Sequence, residues 1–412
     1  MYFLLTMSPT KKNQPLSVLL LENVHTAAVD LFQANHCEVT SLKTALSENE
    51  LIEKLKYFQV LGIRSKTQIT EKVLKSSKHL QAIGCFCIGT NQVDLTNANI
   101  LGVPVFNAPF SNTRSVAEMV IAEIIMLARQ LGDRLREVHE GKWRKVSQEC
   151  YEVRGKTLGI LGYGHIGTQV SLLAESLGMR VRYYDIATKL ALGNAYACRT
   201  VHDLLTTSDY ISIHVPETEL TKNMISKNEL SSMKKGSYLI NASRGSVVDI
   251  AALSESLKAG HLAGAAIDVF PSEPEGNSDG FQTELKGLKN VILTPHVGGS
   301  TEEAQENIGR EVATSLTRFL RVGATTGAVN FPQVEVSPND RTSRILNVHR
   351  NVPGVLKNIN RIVGDLGANI LGQVLSTDTS IGYLIIDLEN DVSEQVKDAV
   401  SKLDTSIQTR II

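Results

Sequence analysis

Three short segments of this chain follow apolar runs and carry side chains able to move a proton and hold an anion: Asn241–Gly245, Asp268–Pro274 and Thr294–Gly299. His296 has an ordinary pKa near neutrality, so it can give or take a proton, help worth about 10²–10⁴-fold in rate. A neighbouring carboxylate, Glu273, would favour its imidazolium form. Arg244 offers a planar fork suited to a carboxylate and an adjacent carbonyl. This set fits the interconversion of a 2-hydroxy acid and a 2-keto acid, where a hydride and a proton leave or reach one C–O group. Asp268 has two readings: a contact to the nicotinamide side of a cofactor, or a cap for a helix or turn.

A hydride needs a carrier, and Gly162-Tyr163-Gly164-His165-Ile166-Gly167 is the sharpest local signal for one. It follows the apolar run Thr157–Leu161 and precedes a helical pattern over Thr168–Leu177. Glycines there permit a tight turn and bring backbone N–H groups close to a pyrophosphate at a helix N-terminus. Asp185 lies 18 residues past Gly167, where a carboxylate can accept from ribose hydroxyls. Ile186 and Ala187 follow it, with no adjacent arginine for a 2′-phosphate, which favours NAD over NADP.

The elements that must position these residues read as two series of strands alternating with helices. The first has Leu16–Leu21, Val60–Ile63, Leu80–Ile83 and Val103–Phe106. The second has Thr157–Leu161, Arg180–Tyr184, Tyr210–His214, Ser237–Asn241, Ala263–Val269 and Asn290–Thr294. Such alternation implies parallel sheets with crossover helices. Helices over Asn112–Leu131, with Ser115 and Glu118 as a capping box, and over Glu302–Leu320 bracket the second series. The expected class is therefore α/β, with two doubly wound parallel-sheet domains, the first interrupted by the second. Residues 344–412 follow, in the order strand, helix, strand, strand, helix, strand, a split βαββαβ unit. The expected boundaries are an extension over 1–15, a discontinuous domain of 16–111 and 299–332, a nucleotide domain over 112–298, a linker over 333–343, and the tail.

Composition narrows the function class. Lys plus Arg number 42 against 43 Asp plus Glu, for a net charge of −1, so no basic surplus supports nucleic-acid or membrane-surface binding. No apolar run approaches 18 residues, so no membrane span is expected. Five scattered cysteines predict no disulfide framework and point to a reducing, cytoplasmic setting. The close pair Cys85 and Cys87 is expected on one strand face in a core. No metal-ligand spacing is present.

The blocks at 83–94, 105–118, 159–169, 241–250, 263–274 and 294–309 together resemble the D-isomer-specific 2-hydroxyacid dehydrogenase family. The closest likeness is to its members with one C-terminal regulatory domain. The resemblance implies a Rossmann-type NAD domain and a flavodoxin-like substrate domain. It implies Arg244, Glu273 and His296 as the catalytic set. It also implies NAD contacts at Gly162, Gly164, His165, Ile166, Gly167, Asp185, Ala242, Asp268, Gly298 and Gly299. Substrate contacts map onto Arg64, Ser65 and Asn112, with Lys145 adding a positive charge. The implied reaction is NAD-dependent oxidation of 3-phospho-D-glycerate, a small anionic substrate, to 3-phosphooxypyruvate in serine synthesis. Reduction of 2-oxoglutarate is a side activity of the group. The other reading is a sibling dehydrogenase acting on glyoxylate, hydroxypyruvate or D-lactate.

The tail resembles an ACT domain, which in this family binds L-serine as a feedback effector; His349, Asn351 and Asn369 fall at the implied contacts. The family implies a homotetramer. This chain departs from the pattern in its linker, which has no glycine pair and splits its basic cluster as Arg341 and Arg344.

Overall fold

The computed structural model describes residues 15–274, 280–338, 343–389 and 392–412. The expected extension lies almost wholly, and Arg341 entirely, outside the described residues. The chain forms two compact units, one of residues 1–109 with 305–412 and one of residues 110–304.

In the first unit, β1 (Ser17–Leu20), β2 (Glu38–Ser41), β3 (Val60–Ile63), β4 (Ala82–Cys85) and β5 (Val105–Asn107) form a parallel sheet ordered β2-β1-β3-β4-β5. The order reverses between β1 and β3, so the crevice beyond their carboxyl ends is where such sheets place ligands. β1, β3 and β4 are almost wholly buried, as parallel strands covered on both faces must be. β2 was not foreseen, because its side chains are half-buried or exposed and carry no apolar run. The strand foreseen at Leu80–Ile83 starts two residues later. Cys85 is buried in β4, and Cys87, half-buried just beyond the strand end, packs against the same core.

The second unit holds a seven-stranded parallel sheet: β6 (Thr157–Leu161), β7 (Arg180–Tyr184), β8 (Tyr196–Ala197), β9 (Tyr210–Ile213), β10 (Tyr238–Asn241), β11 (Gly264–Ile267) and β12 (Val291–Leu293). Its order is β12-β11-β10-β9-β6-β7-β8, with the switch point between β6 and β9. A long helix, Thr113–Arg129, packs on this sheet through Val116, Val120, Ile124 and Leu127. The expected capping box is not formed. Asn112 is the N-cap, and Ser115 sits inside the first turn, where its hydroxyl pairs with Thr301 Oγ1 at 2.8 Å while Glu118 pairs with Arg114. The helix ends where Gln130 turns left-handed (φ 52°), and a second helix, Leu131–His139, leaves in a new direction.

The C-terminal part of the first unit is an antiparallel sheet, β14-β15-β13-β16, built from β13 (Ser343–Arg350), β14 (Ile370–Thr377), β15 (Ile381–Leu388) and β16 (Ser406–Ile411). Helices Val355–Asp365 and Ser393–Ser401 cover one face around Ile345, Leu384 and Ile386. The other face, with Leu346, Val348, Tyr383 and Ile385, merges into the core that holds Phe319, Leu320 and Phe331. The expected linker begins as packed chain: Val334 is buried in that core and its N–H donates to Thr325 Oγ1 at 2.8 Å. Arg344 locks the junction. It makes a two-pronged bond to Asp387 (2.6 and 2.9 Å) and donates to the carbonyls of Val322 and Ser337. Arg410, half-buried, donates to Gln81 Oε1 and the Phe319 carbonyl over the Phe319 ring. Tyr383 OH donates to the Gly323 carbonyl at 2.7 Å.

Candidate active site

The carboxyl ends of β10, β11 and β12 bring Arg244, Glu273 and His296 together. Glu273 Oε2 accepts from His296 Nδ1 at 2.8 Å, and Glu273 Oε1 accepts from the Phe270 N–H at 3.0 Å. A carboxylate only accepts, so Nδ1 carries a hydrogen and Nε2 is the nitrogen open for proton exchange. The bond to Glu273 holds His296 above the ordinary histidine value against the pull of burial; the charges of Glu273 and Asp268 add to the rise and that of Arg244 opposes it. Burial alone would raise the Glu273 carboxyl, but the bonds from His296 and Phe270, with the charges of His296 and Arg244, leave it below the usual range.

Local packing fixes these loops. Asn241 is wholly buried; its Nδ2 donates to the Arg244 carbonyl at 3.0 Å and its Oδ1 accepts from the Ser243 N–H and hydroxyl. That clamp shapes the turn containing Ala242 ahead of Arg244. Gly245 has no room for a side chain, because a Cβ would lie 2.0 Å from the Phe270 carbonyl carbon. The loop of Arg244 therefore rests directly on the loop of Glu273. Neither Asn241 nor Gly245 was singled out from sequence for this role, although both stand inside the quoted block.

The Asp268 carboxylate caps a turn. Its Oδ1 accepts from Thr294 Oγ1 (2.6 Å) and the Val297 N–H (2.8 Å), and its Oδ2 from the Gly298 N–H (2.9 Å). The Asp268 carbonyl accepts from the His296 N–H at 2.8 Å, with His296 itself left-handed at φ 54°. Gly299 lies against Asn112, where a Cβ would come 2.5 Å from Asn112 Nδ2. Asn112 Oδ1 is buried without a hydrogen-bond partner, a group that a ligand can satisfy.

The glycine-rich turn joins β6 to the helix His165–Ser176. Gly162 has φ 94°, and a Cβ there would meet the His214 carbonyl oxygen at 2.6 Å; one at Gly167 would meet the Gly162 carbonyl oxygen at 2.2 Å. Gly164 is different, since nothing lies within 4 Å of its Cβ position. That space, at a helix N-terminus without a side-chain cap, suits the pyrophosphate of a dinucleotide. Asp185 stands at the end of β7, its Oδ2 accepting from the Tyr163 N–H at 2.8 Å and its Oδ1 from the Ala187 N–H. Its position fits the ribose side of the same ligand. The ring of His165 packs on Phe110, with centroids 3.8 Å apart; Ile166 packs against the sheet core.

In the first unit, Arg64 and Ser65 follow β3 at that sheet's own switch point. The turn is held by Glu22, whose carboxylate accepts from the N–H groups of Lys66 and Thr67 at 2.9 and 2.8 Å, and by Gln92, which donates to the Arg64 carbonyl. The Arg64 side chain makes no hydrogen bond or ion pair among the described residues. Glu22 was missed because its partners lie more than forty residues away in sequence. Lys145 is placed elsewhere in the second unit, lining a shallow surface groove with Arg134, Glu137, Val138, Trp143 and Arg144.

His349 and Asn351 occupy one end of the C-terminal sheet, His349 bonded to Asn347 and Asn351 donating to the Asp378 carbonyl. Asn369 donates to Glu389 and precedes β14 at the opposite end of the sheet, as the pairings Ile370 with Leu388 and Leu388 with Ser343 require. Within one chain, then, Asn369 is not brought to the other two.

These features have counterparts in known proteins. The model for the D-isomer specific 2-hydroxyacid dehydrogenase NAD binding domain matches residues 121–298, and that for the AHAS small subunit-like ACT domain matches 345–408. The D-3-phosphoglycerate dehydrogenase of Dictyostelium discoideum is 52% identical over 408 residues, covering 98% of this chain and 100% of its own. The chain belongs to the D-isomer specific 2-hydroxyacid dehydrogenase family. The D-3-phosphoglycerate dehydrogenase of Escherichia coli (strain K12) is 51% identical over 397 residues, covering 96% of this chain and 97% of its own. The solved D-lactate dehydrogenase from Aquifex aeolicus, complexed with NAD and lactic acid, shares the fold with a TM-score of 0.66 and 29% identity, over 77% of this chain and 100% of that one. The protein is thus an NAD-dependent oxidoreductase with a C-terminal ACT domain. No helix among the described residues is long and apolar enough to cross a membrane.

Proposed function

We propose that the protein oxidises 3-phospho-D-glycerate to 3-phosphooxypyruvate, the first step of L-serine synthesis, and that L-serine restrains it through the ACT domain. Identity of about half over nearly the whole chain to relatives of that name carries this reading. Bound NAD supplies the hydride acceptor. As the hydride leaves the carbinol carbon, His296 Nε2 takes the hydroxyl proton and Glu273 stabilises the resulting imidazolium; in reduction the same nitrogen returns the proton. Arg244 grips the carboxylate and the carbonyl that forms beside it. Arg64, Ser65 and Asn112 are further contacts to the anionic substrate. Gly162, Gly164, Gly167, His165, Ile166 and Asp185 hold the dinucleotide, with Ala242, Asp268, Gly298 and Gly299 forming the turns near its reactive end.

We take the division into a substrate domain, a nucleotide domain and an ACT domain as the working organisation, and the assembly as a homotetramer in the cytoplasm. Two features support self-association. Leu135, Val138, Trp143 and Val146 are exposed along the helix Leu131–His139 and the segment after it, Trp143 at 85%, the sort of apolar patch that marks an interface. In the ACT sheet, β14 is an edge strand whose Leu371, Val374 and Leu375 are exposed. A two-fold pairing there brings opposite ends of two sheets together, so that Asn369 of one copy can approach His349 of the other.

The test is NADH consumption over a panel of 2-keto acids, with and without L-serine. Rapid turnover of 3-phosphooxypyruvate, falling as serine rises, is the expected result. Preference for glyoxylate, hydroxypyruvate or pyruvate would replace the proposal with the sibling activity.

A further inference from the structure

A buried polar network lies in the ACT sheet, next to the end where the effector reading places His349. Asn347 is wholly enclosed, and its Nδ2 donates to Ser406 Oγ (2.9 Å), Thr409 Oγ1 (2.9 Å) and the Gln408 carbonyl (3.3 Å). Residues three apart on a regular strand point to opposite faces. Ser406 and Thr409 share one face here because the pairing of β13 with β16 shifts between Val348 and His349, leaving Ile407 as the extra residue of a bulge. Such bulges re-aim side chains at functional sites.

The network leaves Asn347 one orientation. A main-chain carbonyl only accepts, so the amide nitrogen must face Gln408 and Oδ1 must face His349, whose Nδ1 lies 3.0 Å away. An amide oxygen also only accepts, so His349 Nδ1 carries the hydrogen. His349 Nε2 has no hydrogen-bond partner among the described residues, and the Nε2 end of the ring packs on Gly382, where a Cβ would come 2.3 Å from Nε2. Burial holds His349 below the ordinary histidine value, which keeps the ring neutral near pH 7.

We infer that Asn347 is the positioning residue of the effector site: it holds His349 as the Nδ1–H tautomer, so that Nε2 meets an incoming amino acid as an acceptor for an N–H or O–H donor. The inference rests on the effector reading above and adds to it a residue that does not itself touch the ligand. It follows the logic by which a second hydrogen bond fixes the tautomer of a ligating histidine.

Full-length protein labelled with [15N]histidine tests it, with the His349 ring signals assigned by their loss in His349→Gln. The parent, without ligand at neutral pH, should show Nδ1 protonated and Nε2 bare. In Asn347→Ser the two tautomers should mix, and the L-serine concentration for half-inhibition should rise roughly tenfold, the loss expected for one hydrogen bond to a ligand. An Nε2–H or mixed tautomer in the parent overturns the inference without any variant. So does an Asn347→Ser protein with the parental tautomer and serine response. A parent with the predicted tautomer whose activity ignores L-serine overturns the effector reading instead, and with it the ligand half of this inference.

Discussion

The backbone of Asp268 accepts the N–H of His296, and its side chain ties down the two residues that follow that histidine. One buried aspartate thereby holds a left-handed histidine in place from both sides of its α-carbon. Replacing it by asparagine keeps the volume but presents an NH₂ group to donors. Asp268→Asn should lower kcat about 10²-fold, the scale of a misplaced catalytic group, with a smaller change in KM. Steady-state kinetics check this; an unchanged kcat would remove Asp268 from the positioning of His296.

The bond between Glu273 and His296 sets a pH dependence whose sign can be stated. Keto-acid reduction needs the imidazolium, so its rate is full below the His296 pKa and falls as pH rises through it; oxidation runs the other way. Because Glu273 raises that pKa, Glu273→Gln should move the alkaline limb of the reduction profile to lower pH. His296→Asn should remove the limb and lower turnover about 10²–10⁴-fold, while fluorescence titration still reports NADH binding.

The two glycines around the dinucleotide turn should behave in opposite ways. Gly164→Ala adds a methyl where nothing stands, so the melting temperature should hold within about a degree or two while NADH affinity drops. Gly167→Ala drives a Cβ into the Gly162 carbonyl and should destabilise the fold itself by about 1–3 kcal/mol. Equal melting temperatures for the two variants would contradict this division.

Glu123, on the helix Thr113–Arg129, is buried with neither oxygen hydrogen-bonded. Burial, reinforced by the charge of Asp268, pushes its carboxyl up to about 8. The unfolded chain loses that proton near the ordinary glutamate value, so between there and about pH 8 unfolding releases a proton and stability falls as pH rises. Glu123→Gln removes the penalty. Its melting temperature should exceed the parent's by more at pH 8 than at pH 5, and a constant difference would show that Glu123 is ionised in the fold.

Much of this architecture could be read from the chain because apolar runs between turns leave few options. β3, β6 and β7 have the bounds their residues suggest. What escaped was set by partners distant in sequence. Ser115 looks like a cap, but Thr301 claims its hydroxyl inside the first turn. Gln130 breaks a helix that its own propensity would continue. At the site, residue type and position after a strand exposed Arg244, Glu273 and His296. Asn241 and Glu22 act by holding backbone in place, a role that leaves no local pattern to find.

Arg344 carries a mechanical consequence for regulation. Separating the ACT sheet from the helix end at Val322 would tear this guanidinium from the Val322 carbonyl and the Tyr383 hydroxyl from the Gly323 carbonyl, leaving two buried donors unmade at about 1–3 kcal/mol each. Allosteric coupling energies are typically about 1–3 kcal/mol. An effector's signal therefore cannot be spent on swinging a loosely tethered module. The ACT sheet and the helix Glu302–Val322 travel as one lever, and any motion that an effector provokes must find its pivot somewhere other than the joint between them.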